Sequence, residues 1–81
     1  MPMRDISDSY IGAMCAEYRR YILHKPQRMV AKDVGVSREL VSAFETGRQP
    51  NSRIFLYYIK MGIFDWVPIE KWNGWNLGFM G

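Results

Sequence analysis

Residues 30–47 read VAKDVGVSRELVSAFETG, and this stretch decides the fold of the chain. It contains two helix-forming pieces, VAKDV and SRELVSAFETG, that are separated only by Gly35 and Val36. Gly35 can take the left-handed conformation that ends a helix, and the Ser37 side chain can accept a hydrogen bond at the start of the next helix. Two helices joined by so short a connection meet at a sharp corner and do not lie antiparallel as in an ordinary bundle.

The sequence before this corner predicts one longer helix over residues 9–23. Ser7 or Asp8 can cap its start, and residues 24–26 break it because Lys25 precedes a proline. Apolar residues recur along this segment at spacings of three and four, which is typical of one buried helical stripe. The stripe is predicted to contain Ile11, Cys15, Tyr18 and Ile22, widened by Met14, Tyr21 and Leu23.

Residues that cap or terminate helices predict the bounds of the remaining helices. Helix two is predicted over residues 27–34 and helix three from Ser37 to a stop at Gly47. Helix four is predicted over residues 53–61, capped by Asn51 or Ser52 and ended by Gly62. A short fifth helix is expected from Asp65 through Trp72, with an irregular tail after it. The prediction is thus a single all-α domain over residues 1–81, with four or five helices and an aromatic C-terminal segment over residues 63–81.

The amino-acid composition limits the kinds of chemical site that the chain can form. Its 81 residues include one cysteine, Cys15, and one histidine, His24, which excludes an internal disulfide framework and a cysteine zinc cluster. No pair of nucleophile and base, metal-ligand set or phosphate-binding glycine loop is visible in the sequence. We therefore expect no enzymatic activity, no cofactor and no metal. No apolar run has the length of a signal peptide or a membrane span, so a cytoplasmic location is expected.

Positive charge is concentrated in the middle of the chain. Residues 19–53 contain eight basic and three acidic residues, a net charge of +5, whereas the two flanking segments together carry −2. A basic centre that coincides with a helical corner indicates a surface for a polyanion such as nucleic acid. The alternative interpretation is an ordinary solvated face.

The corner resembles the Cro/phage-repressor (Xre) family of helix-turn-helix proteins. The residues that carry the resemblance form the pattern Q-x-x-V-A-x-x-V-G-V-S-x-x-x-V-S-x-F-E-x-G-x-x-P from Gln27 to Pro50, without a gap. The similarity extends over about residues 12–63, and the helix-turn-helix proper would occupy residues 27–47. It implies a lambda-repressor-like fold in which the second helix of the pair lies in the major groove of DNA.

The resemblance also implies roles for individual residues. Arg38 would be the main base reader, because its guanidinium can bind both acceptors on a guanine edge. An ion pair between Arg20 and Glu45 would join helices one and three. The residues facing bases would be Ser37, Arg38, Glu39, Ser42 and Ala43. The residues binding phosphates would be Gln27, Arg28, Lys32, Arg48 and Gln49.

Three functions remain open at this level. The first is a small sequence-specific transcriptional regulator of the repressor or Cro type, of phage or mobile-element origin, that binds double-stranded DNA as a homodimer. The second is a protein-interaction module such as an antirepressor, an antitoxin or a phage inhibitor of a host protein. RNA binding is a weaker third. The aromatic tail can form the dimer or partner surface, or it can fold back over the core. Its residues in question are Trp66, Trp72, Trp75 and Phe79.

Overall fold

The computed structural model describes residues 8–68, and this part of the chain is entirely helical, without a β-strand. A π-helical turn, Arg19–Leu23, continues the first helix. The all-α fold predicted from the sequence is therefore confirmed. The α-helices are α1 (Asp8–Tyr18), α2 (Gln27–Val34), α3 (Arg38–Glu45), α4 (Ser52–Met61) and α5 (Ile63–Trp66).

The first helix differs from its prediction at its C-terminal end. Cys15 and Tyr18 are buried as expected, but Tyr21 is 64% exposed and Ile22 is 45% exposed. The π-helical turn explains the difference, because its wider hydrogen-bonding pattern takes up one more residue than an α-helical turn. Side chains after Arg19 are therefore out of phase with the apolar stripe. The segment ends at His24, whose backbone is left-handed with a φ of 54°.

The bounds of α2 and α3 agree with the sequence. Gly35 ends α2 in a left-handed conformation with a φ of 88°, and its amide donates to the carbonyl oxygen of Ala31 over 2.8 Å. Ser37 caps α3, since its hydroxyl oxygen accepts a hydrogen bond from the amide of Leu40 at 3.1 Å. The predicted glycine stop and serine cap are both confirmed, and together they fix the corner.

The last two helices share a glycine. The Asn51 side chain caps α4 by accepting from the amide of Ile54 at 3.0 Å, and left-handed Gly62 ends it. The predicted fifth helix from Asp65 to Trp72 is wrong in its described part, because α5 starts directly after Gly62 and ends at Trp66. Val67 is extended, as expected for a residue that precedes proline. The rest of that prediction, beyond residue 68, lies outside the described residues.

The core contains buried side chains from all five α-helices. Helix α3 packs against α1 and α2, and α4 packs against α2 and α5. Helices α1 and α3 approach each other closely at Gly12, since a Cβ atom at this position would lie 2.7 Å from the carbonyl oxygen of Glu45 and closer still to that of Phe44. The helices can therefore touch backbone to backbone only because residue 12 has no side chain. Among residues 8–68, the largest fully buried side chains are Tyr58, Ile54, Ile63, Val30, Val41 and Cys15.

The start of the aromatic segment packs against the core of its own chain. The rings of Trp66 and Tyr18 lie 5.4 Å apart between centroids, and the Tyr18 hydroxyl donates to the carbonyl oxygen of Met61 over 2.8 Å. For Trp66 this is the arrangement that folding back would produce. The other residues predicted for the dimer or partner surface, Trp72, Trp75 and Phe79, lie outside the described residues. Among residues 8–68, no helix is long and apolar enough to cross a bilayer.

Candidate nucleic-acid interface

The corner between α2 and α3 separates an apolar inside from a polar outside. Val30, Ala31, Val41 and Phe44 point inward and are buried. The small side chain of Ala31 suits the point where the two helices meet, and its carbonyl oxygen accepts from both turn amides, those of Gly35 and Val36. The inside therefore holds the two helices as one rigid unit, and the outside is left to the polar residues.

The predicted phosphate-binding residues lie mostly on the exposed side of this unit. Arg28 and Lys32 are four residues apart on α2, so they share one helical face. Arg48, just after α3, is exposed and its Nε donates to the Thr46 hydroxyl over 3.1 Å. Gln49 is exposed beside it. These side chains place positive charge at both ends of the corner.

Gln27, which the resemblance implied as a phosphate ligand, has hydrogen-bond partners within the protein. Its side chain is half-buried, and its Nε2 donates to Glu45 Oε1 over 2.8 Å. At the other end of the amide, its Oε1 accepts from Arg38 Nη1 at 3.3 Å. Both ends of the Gln27 side chain are thus used within the protein. In this conformation it links the core to the surface of α3, and Glu45 uses one of the two N–H donors of its amide.

The five predicted base readers divide into two groups. Ser37, Arg38 and Glu39, at the start of α3, are exposed, whereas Ser42 and Ala43 are half-buried. The Ser37 oxygen already accepts the capping hydrogen bond, so its hydroxyl hydrogen is what it can offer to a ligand. The Arg38 and Glu39 side chains are 55% and 79% exposed. The start of α3 is therefore its most accessible part.

The ion pair implied between α1 and α3 forms with a different arginine. Arg19, and not Arg20, binds Glu45, with Nε to Oε2 at 2.7 Å and Nη2 to Oε1 at 3.1 Å. Their side chains are only 9% and 4% exposed, whereas Arg20 is exposed. The physical reason is helical phase: Arg19 lies four residues after buried Cys15, and Arg20 is turned about 100° away. The assignment of Arg20 to this pair was therefore wrong.

The buried pair is well satisfied. Arg19 Nη1 also donates to the carbonyl oxygen of Lys25 over 3.0 Å, so one guanidinium joins α1, α3 and the loop before α2. The hydrogen bond to Glu45 raises the pKa of Arg19, although burial opposes this rise. Arg19 remains a cation at any physiological pH. It therefore serves to position α3 against α1.

Two other buried polar groups lie close to this pair. Burial, and then the negative charge of Glu45, raise the pKa of the Cys15 thiol well above its ordinary value. The thiol therefore stays protonated and has little nucleophilic character. The same two causes, in the same order, raise the pKa of Tyr58, whose hydroxyl has no hydrogen-bond partner within residues 8–68. Neither group is poised for chemistry.

A second polar cluster was not predicted from the sequence. Lys25 Nζ lies 2.9 Å from Asp33 Oδ2, and the Tyr57 hydroxyl donates to the same oxygen over 2.9 Å. The hydrogen bond from Lys25, followed by the one from Tyr57, lowers the pKa of Asp33. The three side chains tie the loop before α2 to α4. Their separations in sequence, 8 and 24 residues, carry no periodic signal that would have revealed the cluster.

Within the described residues, no three or more histidine, cysteine, aspartate or glutamate side chains come together as a metal-binding group. Comparison with known proteins adds no further assignment. No protein-family model matches the chain, and neither a curated protein nor a solved structure matches it significantly.

Proposed function

We propose that this protein is a small sequence-specific regulator of transcription, similar to Cro and phage repressors, that binds double-stranded DNA with α3 in the major groove. The observation that carries the proposal is the corner itself. A short α2 and α3 are locked at Gly35 by an apolar inside, and their outside exposes Arg28, Lys32, Arg38 and Arg48. A helix with accessible polar side chains at its start has the dimensions and chemistry for the major groove.

Two kinds of contact are assigned within this proposal. Arg28, Lys32 and Arg48 bind phosphates, because cations at the edges of the unit hold a protein on the duplex without reading its sequence. Arg38 reads bases, because it projects from the first turn of α3 with its side chain 55% exposed. The basic segment over residues 19–53 supplies the long-range attraction to the polyanion.

The protein is proposed to bind its operator as a homodimer. Two copies of α3 that insert into successive major grooves read half-sites about 34 Å apart, and this pairing raises both affinity and specificity. The aromatic segment over residues 63–81 supplies the surface in this proposal, through Trp72, Trp75 and Phe79. Because Trp66 already packs on Tyr18 in its own chain, we assign it to positioning the segment.

A second candidate function is a protein-interaction module that uses the same fold. The chemistry of the outer face of α3 favours it: Glu39 exposes a carboxylate there, and Ala43 is half-buried and offers only a methyl group. A carboxylate repels phosphates, so this face is less suited to nonspecific DNA binding than a wholly basic one. An antirepressor, an antitoxin or an inhibitor of a host protein would use such a mixed face against a protein partner.

Arg38→Ala and Arg48→Ala should affect DNA binding in different ways. Arg38→Ala should relax the base preference at one position in each half-site, with a cost of about 1–3 kcal/mol on the preferred sequence. Arg48→Ala should weaken binding to all sequences alike and lower the salt dependence of log K by a slope of about one. Selection from a randomised duplex pool, followed by titrations at several salt concentrations, measures both effects.

These two variants serve as controls for each other, since each removes one exposed arginine from the same unit. If neither substitution changes binding to any duplex while a protein partner is still bound, the interaction module replaces the DNA-binding proposal.

Sedimentation should report a dimer at micromolar concentration. Deleting the chain from Lys71 onward removes Trp72, Trp75 and Phe79 and should give monomers, because the apolar surface assigned to the partner is lost. Circular dichroism of the shortened chain should still show a helical domain, which separates loss of the dimer from loss of the fold. A full-length chain that sediments as a monomer under these conditions would contradict the dimer and favour a tail that folds back.

A further inference from the structure

Arg38 and Glu39 form a donor and acceptor pair at the exposed start of α3. Arg38 Nη2 and Glu39 Oε2 lie 3.8 Å apart, and both side chains are largely exposed. Gln27 holds the other terminal nitrogen, Nη1, at 3.3 Å. The Arg38 guanidinium therefore contacts Gln27 through one terminal nitrogen and lies beside the Glu39 carboxylate through the other.

The major-groove edge of one G·C base pair has the complementary pattern. Guanine presents two acceptors, N7 and O6, and cytosine presents the N4 amino group as a donor next to O6. An arginine can bind the two guanine acceptors with its fork, and a glutamate can accept from the cytosine amino group. Arg38 and Glu39 offer both halves of this set from adjacent residues.

We propose that Arg38 and Glu39 together read a single G·C base pair through both of its bases. This inference rests on the proposed DNA-binding function. An A·T pair would place the adenine amino group, a donor, against the donors of Arg38. A reversed pair would exchange the positions of the donor and the acceptors. The two side chains thus reject the alternatives by mismatched hydrogen bonding as well as favouring the correct pair.

Glu39 determines specificity in this arrangement and does not contribute to general affinity. Among the described residues, Arg38 is the only cation whose nitrogen lies within 4.0 Å of its carboxylate. A carboxylate at this exposed position repels the phosphates of any duplex. Only a cytosine amino group at the correct place offsets that repulsion. Glu39 therefore weakens binding to sequences that lack a cytosine at this position.

The test compares four proteins in selection from a randomised duplex pool: the unchanged chain, Arg38→Ala, Glu39→Ala and Glu17→Ala. Glu17 is exposed on α1, so Glu17→Ala changes the net charge as Glu39→Ala does but leaves α3 intact. We expect Arg38→Ala and Glu39→Ala to reduce preference for G·C at the same base-pair position by about tenfold or more. Glu39→Ala should also increase binding to random-sequence duplex, whereas Glu17→Ala should keep the selected sequence.

Base analogues then assign each residue to its base. In the selected site, 7-deazaguanine should weaken the unchanged protein but not Arg38→Ala, and 2-pyrimidinone in place of cytosine should weaken it but not Glu39→Ala. Loss of preference at two different base pairs, or an unchanged preference in Glu39→Ala, overturns the shared reading of one pair while DNA binding stands. If the unchanged chain selects no duplex, the proposed function itself fails.

Discussion

Replacing Arg19 with alanine is expected to lower the free energy of unfolding by about 3–5 kcal/mol, because it leaves the carboxylate of Glu45 buried without its cation. Gln27 would still donate one hydrogen bond to that carboxylate, but a neutral amide cannot replace a guanidinium that forms two bonds, at 2.7 and 3.1 Å. Domains are stable by only about 5–15 kcal/mol. The variant should therefore melt at least about 12 °C lower, by the usual relation between free energy and melting temperature.

Arg20→Ala provides the matched control. It removes the same side chain from the next position, but Arg20 is exposed, so its free energy of unfolding should change by no more than about 0.5 kcal/mol. Thermal and urea unfolding followed by circular dichroism compare the two variants directly. Equal losses from Arg19→Ala and Arg20→Ala would show that the buried pair is not the main connection between α1 and α3.

Gly12→Ala should destabilise the protein by about 3 kcal/mol, although alanine is the better helix former. Helix propensity alone would stabilise the variant by about 1 kcal/mol. The added Cβ atom, however, would lie 2.7 Å from the Glu45 carbonyl oxygen and would also meet that of Phe44. Both obstacles are backbone atoms of α3 and cannot rotate away. The helices must move apart, which weakens the packing around them.

The matched control for Gly12→Ala is Ala13→Gly, the reverse exchange at the next, exposed position of α1. It should cost only about 1 kcal/mol through helix propensity. Urea unfolding of both variants measures the difference. A Gly12→Ala protein as stable as the original, or more stable, would mean that α1 and α3 are not in backbone contact at this point.

Local chemistry made the helical corner predictable. Gly35 and Ser37 act through their own backbone conformation and their nearest amides, so a sequence that contains them largely determines where α2 ends and α3 begins. The same holds for Asn51 at the start of α4. Pro68 was harder to interpret, because proline can occupy the first turn of a helix or follow its end. Here the extended residue before it, Val67, ends α5.

Contacts between helices were less predictable. Choosing between Arg19 and Arg20 requires the helical phase to within one residue, because only Arg19 lies four residues after buried Cys15. The role of Gly12 depends on how closely α3 approaches, which is a property of the packed pair and not of α1 alone. No local pattern distinguishes such a glycine from one that is merely tolerated.

In the candidate site, too, features set by the local sequence were predictable and those set by contacts between helices were not. Exposure of Arg38 and Glu39 follows from their place after the Ser37 cap, and it was predicted from the sequence. The hydrogen bonds of the Gln27 side chain were not predicted from the sequence. A glutamine at the start of a helix can face outward to a phosphate or inward to a carboxylate. The partner that decides this, Glu45, lies 18 residues away in the sequence.

The bond between Arg19 and Glu45 also has a consequence for the order in which the protein is made. The two residues are 26 positions apart, so α1 leaves the ribosome well before α3 exists to receive it. At synthesis rates of about 5–20 residues per second, this delay is on the order of one to five seconds. During that time the inner face of α1, including Cys15, Tyr18 and a lone guanidinium, has no native surface to cover it. Helix α1 is thus secured against α3 only after residue 45 emerges, and the nascent chain is open to misassociation during this interval.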